Sequence, residues 1–103
     1  AGAVEAAVRA MGRHEAHAGV QEYACWMIRN VCDGTDEAAR RRRQRAADAG
    51  AVEAAVRAMG RHEAHAGVQE YACWMIRNVC DGTDEAARRR RQRAADAGAV
   101  EAA

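Results

Sequence analysis

The 103-residue chain carries 16 basic and 15 acidic residues, a formal net charge of +1, a balance that singles out neither nucleic acid nor an anionic membrane as partner. Phe, Pro, Lys, Leu and Ser are absent, every basic residue is Arg, and alanine dominates, which favours helix. No apolar run reaches membrane-spanning length and no signal-peptide pattern is seen, so cytoplasm or nucleus is the expected compartment.

Residues 1–48 recur without change as 49–96, and 97–103 open a third copy. A period in this range marks stacked supersecondary units. Identity without a single change is what a recent duplication, or engineering by repetition, leaves behind. Within a copy the pattern predicts three helices. Ala51–Met59 is amphipathic, with Val52, Val56 and Met59 at i, i+4 and i+7 and a Glu53–Arg57 pair, and Gly60 is expected to stop it. Arg61–Gly67 reads as a loop holding His62 and His65. A longer helix follows from about Gly67 to Cys80, closed by Asp81-Gly82, with Thr83 offered as the next N-cap. The third helix runs from about Asp84 to Ala95, and Gly98 breaks it. Its apolar face is alanine alone, so Arg90 and Arg91 are expected to lay their stems along the contact and keep their heads in water. No segment alternates with period two. The fold class is therefore all-α.

The longer helix is where chemistry concentrates. At about 100° per residue, Ala24, Cys25, Met27, Ile28, Val31 and Cys32 share one apolar stripe. Glu22, Arg29, Asn30 and Asp33 take the opposite face, and Trp26 lies at its centre with Tyr23 at its edge. A Trp on the polar side of its own helix forgoes a burial worth roughly 2–3 kcal/mol. Two readings stand: a surface kept for something to touch, or a ring covered by the neighbouring copy. Cys25 and Cys32 lie about 10 Å apart along one helix, too far for a bridge. All four cysteines, with Cys73 and Cys80, read as reduced core residues.

Three helices per copy, with the longest carrying Trp-x-x-x-Asn and then Gly, resemble the armadillo repeat. Glu22, Ala24, Trp26, Ile28, Asn30 and Gly34 stand where that family has its polar, small, Trp, aliphatic, Asn and Gly positions, and Ala49-Gly50-Ala51-Val52 is similar to its junction between first and second helices. The resemblance implies a right-handed α-solenoid forming a single domain over residues 1–103, with a groove lined by the Trp helices. Asn30 and Asn78 would bond the backbone of an extended peptide, and Trp26 and Trp74 would wall slots for its side chains. Glu22, Arg29, Asp33 and their copies Glu70, Arg77 and Asp81 would rim the groove. That mixed sign should not select strongly for basic peptides. Compared with the family, the repeat is longer by a few residues and its leucine-rich core is replaced by smaller side chains.

Other constellations point to less. The run Arg40-Arg41-Arg42-Arg43-Gln44-Arg45 could meet phosphates, but Asp36, Glu37 and Asp48 balance it and no aromatic interleaves it. His14-Glu15-Ala16-His17 lacks a third metal ligand and sits in a loop. There is no catalytic constellation and no cofactor motif. The function expected is non-enzymatic binding of an extended peptide or protein segment. The alternatives are a tandem-repeat scaffold that stacks end to end with itself, or as an intertwined dimer, and, more remotely, nucleic-acid binding through the Arg runs.

Overall fold

The computed structural model describes residues 2–99. They form six helices: α1 (Ala3–Arg13), α2 (Ala18–Val31), α3 (Glu37–Asp48), α4 (Ala51–Arg61), α5 (Ala66–Val79) and α6 (Glu85–Asp96). No strand occurs among the described residues, and none of the helices is long and apolar enough to cross a membrane. The first copy supplies α1 to α3 and the second α4 to α6. The broadest packing is between α2 and α5, the equivalent helices of the two copies.

Side chains close several of the helix ends. Gly12 and Gly60 lie inside their helices rather than stopping them. The carbonyls that end α1 are met instead by Gln21, whose Nε2 donates to Met11 O at 3.1 Å and His14 O at 2.9 Å; Gln69 does the same for α4. His17 and His65 cap α2 and α5, each Nδ1 accepting from the backbone N–H three residues on. Asp36 and Asp84 cap α3 and α6, displacing Thr83 from the role its hydroxyl suggested. Asp84 Oδ1 accepts from Ala87 N at 2.9 Å, and that bond holds its carboxyl below the usual range. Between α3 and α4 the chain turns through Gly50 at φ 90°, a left-handed conformation that a side chain would strain.

Part of the arginine run is spent inside. Arg42 Nε donates to Val31 O at 2.6 Å and Arg43 Nη1 to Gly34 O at 2.8 Å, so α3 supplies the C-terminal closure of α2. In the second copy Arg90 donates to Val79 O and Asp81 O, and Arg91 to Cys80 O and Gly82 O. Arg43 and Arg90 are only 3% exposed. The Arg90 head, expected in water, lies instead on carbonyls that the preceding helix leaves unpaired, as does that of Arg43, whereas Arg91 is exposed as expected. Arg45 reaches Glu5 at 2.8 Å and Arg93 reaches Glu53 at 2.7 Å. Glu53 thus turns to α6 and not to Arg57 within its own helix. Each copy is a closed cycle: α2 caps α1, α3 caps α2, and α3 is tied back to α1.

The core is thin and built from small residues. Val4, Met11, Ile28, Val52, Met59, Val68, Met75 and Val79 supply its bulk, with alanines and cysteines between. Cys25, Cys32 and Cys80 are buried as expected, but Cys73 is exposed. Burial raises the Cys25 thiol from its ordinary 9.0 to about 12, and Cys32, with its nearby guanidinium groups opposing the shift, to about 11. The native state therefore keeps protons that the unfolded chain releases above pH 9. Stability is present in full below that value and is lost as the pH climbs toward 12. From Cys25 alone the loss approaches about 4 kcal/mol once the pH exceeds both values. Urea midpoints measured from pH 8 to 11 should fall more steeply for the wild type than for Cys25→Ala; parallel curves would show that the thiol is not buried in the folded protein.

Candidate functional site

The Trp face of α2 and α5 is open. Trp26 and Trp74 keep 41% and 40% of their surface exposed, and Tyr23 keeps 75%. Of the two readings of the Trp, the covered ring is the one these values disfavour. Tyr23 meets Trp26 edge-on, with ring centroids 5.9 Å apart and planes at 77°, an arrangement that aromatic quadrupoles favour. One turn along α2, Arg29 lies across the copy boundary with its guanidinium carbon 3.7 Å above the Trp74 ring and 5.9 Å from that of Tyr71. A cation over an indole at that distance is worth roughly 0.5–1 kcal/mol when exposed. A shallow cavity of about 190 Å³, lined by Glu22, Tyr23, Trp26 and Tyr71, lies between the two helices.

The other expected site residues divide. Glu22 enters the boundary between copies: its Oε1 is 4.0 Å from His65 Nε2, and its carboxylate sits so close to Gly67 that a Cβ there would come within 2.7 Å. A carboxylate at that point faces the N-terminal turn of α5, where the helix dipole favours it. Asn78 donates from Nδ2 to Arg29 O at 3.0 Å, so it reads the backbone of the neighbouring helix of its own chain. Asn30, the equivalent residue, is exposed. Asp33 and Asp81 stand just past the ends of α2 and α5, and their main-chain carbonyls are held by Arg42 and Arg90. Glu70 and Arg77 are exposed on the second copy. The structure thus gathers Glu22, Trp26, Arg29 and Trp74 into one surface. It adds Tyr23 and Tyr71, which the wheel placed only at the margin of the Trp face.

No group of three or more His, Cys, Asp or Glu side chains positioned to hold a metal occurs among the described residues. What the surface offers is aromatic faces, a guanidinium stacked on one of them, and carboxylates at the rim. Such a set can stack flat groups and donate hydrogen bonds to carbonyl or carboxylate oxygens. Comparison with protein-family models, with curated proteins and with solved structures finds no match.

Proposed function

We propose that the chain is a non-enzymatic binding module, an α-solenoid of armadillo type whose α2 and α5 faces receive an extended peptide or protein segment. The observation that carries this reading is the exposure of Tyr23, Trp26 and Trp74, with Arg29 stacked on the Trp74 ring, on the polar side of helices whose other side is core. Large apolar rings held together at a rigid surface are the usual anchors of recognition. Asn30 would bond the segment's backbone, and Arg29 its carbonyl or acidic groups. Asn78 is engaged within the chain, so recognition of the backbone rests on the first copy.

The test combines stability with binding. Trp26→Ala should lower the unfolding free energy by about 1 kcal/mol or less, against about 3–5 kcal/mol for a Trp taken from a core. Peptides selected from a random extended library on the wild type, read by Trp fluorescence, should lose binding to Trp26→Ala and to Arg29→Ala. A variant that collapses thermally would place the ring in the core. Peptides that bind both variants as tightly as the wild type would remove this face as their site.

A further inference from the structure

Because the two copies are identical in sequence, any difference in burial between equivalent residues comes from the neighbour alone. The differences sort cleanly. Gln21, Cys25, Ile28, Arg43 and Ala47 are buried in the first copy, while their equivalents Gln69, Cys73, Ile76, Arg91 and Ala95 are exposed or half-buried in the second. The reverse holds for a second set. Ala51, Ala54, Ala58, Val68, Met75 and Val79 are buried in the second copy, while Ala3, Ala6, Ala10, Val20, Met27 and Val31 are exposed or half-buried in the first. The internal junction thus presses the first set of one copy onto the second set of the next. Each set is also present a second time on the opposite outer face, where the described residues cover it less.

We infer that these outer faces bind each other between chains: a second copy of this chain docks head to tail, its first-copy face onto the second-copy face of its neighbour. The inference does not depend on the Trp face being a ligand site, but Asn30 and Trp26 serve both contacts, so a docked second copy takes them out of peptide binding. Shape is matched because the internal junction already joins the same side chains. The polar groups match as well. Across the junction Arg90 Nη1 donates to Gln44 Oε1 at 2.8 Å, Asn78 to Arg29 O at 3.0 Å, and His62 Nε2 to Glu15 O at 2.7 Å. The outer faces repeat each half of these pairs: Arg42, Asn30 and His14 on one, Gln92, Arg77 O and Glu63 O on the other. Arg77 is placed to stack on Trp26 as Arg29 stacks on Trp74. A contact between two unlike faces need not close on itself, so it can add chain after chain rather than stopping at a symmetric dimer.

Cys73 reports the contact without any substitution. It is exposed, whereas its equivalent Cys25 is fully covered at the junction. Its alkylation by iodoacetamide, read by mass spectrometry in reducing buffer, should slow as protein concentration rises, in step with an increase in weight-average sedimentation coefficient. Met27→Arg charges one face and Ile76→Arg the other. Each variant alone should sediment as a monomer, and their mixture should form a dimer and nothing larger, because each partner keeps one working face. A wild type that stays monomeric at millimolar concentration with Cys73 freely alkylated overturns the inference. So does either variant associating with itself, since that would require a different surface.

Discussion

Met75→Ala is expected to lower the unfolding free energy by about 2–5 kcal/mol, and Met27→Ala, the same change in the same helix sequence, by less than half as much. Met75 is fully buried against the first copy, whereas Met27 is only half-buried. For isoleucine the order reverses. Ile28 is fully covered and Ile76 is not, so Ile28→Ala should cost about 2–5 kcal/mol and Ile76→Ala the smaller part. Urea denaturation of the four variants at micromolar concentration measures this directly. The crossed pattern is the signature of the junction described above. Equal costs at equivalent positions would mean that the copies do not stack in this register.

The second large effect is at the buried arginines. Arg90→Ala should cost about 2–4 kcal/mol, because it leaves Val79 O and Asp81 O without their charged donor in a place water does not readily reach. Burial already works against the charge of this group, pulling its pKa down, so the fixed carbonyls are what make the site tolerable. Arg42→Ala removes the equivalent closure from a half-buried position and should cost less. The order again reverses one residue on: Arg43→Ala should exceed Arg91→Ala, since Arg43 is covered by the second copy and Arg91 is exposed. Arg90→Lys is not expected to rescue, because one ammonium cannot reproduce a guanidinium fork spread over separate carbonyls. A lysine variant as stable as wild type would show that charge alone, without that geometry, is sufficient.

Much of the helical layout was legible in the residues. The three helices per copy follow from apolar spacing, alanine content and the glycines at 34, 50, 82 and 98. The placement of Trp26 on a polar face, confirmed by its exposure, needed only the wheel. The misreadings share a cause. Gly60 has the right identity for a helix stop, but the helix runs on to Arg61, and Gln69 arrives from the next helix to bond the carbonyls of Met59 and His62 on either side of it. Thr83 was a plausible cap, but Asp84 accepts the same kind of bond with a full charge. The helix of Arg90 offers its head nothing and so points it to water; its partners are the carbonyls of Val79 and Asp81, eleven and nine positions back. The cysteines read alike because their surroundings in sequence are identical, and only the neighbour separates Cys25 from Cys73. A wheel assigns faces to one helix. It does not say which of two apolar flanks a neighbour will cover, and in a repeat both flanks are apolar for that reason.

The polar ties across the junction carry one more consequence. They join three separate pairs of elements: the loop before α2 to the end of α4, α2 to α5, and α3 to α6. Three bonds spread over three layers fix a body in rotation as well as in translation, as the legs of a tripod do. The step from one copy to the next is then a single screw operation, with one angle and one rise. Identical sequence at every step would mean the same screw each time, so the pitch of any array built from this unit would follow from this junction, its apolar side chains together with Arg90, Asn78 and His62. Replacing one of the three with a shorter side chain would change curvature at every junction together, and small-angle scattering from a long array would read that change amplified by the number of copies.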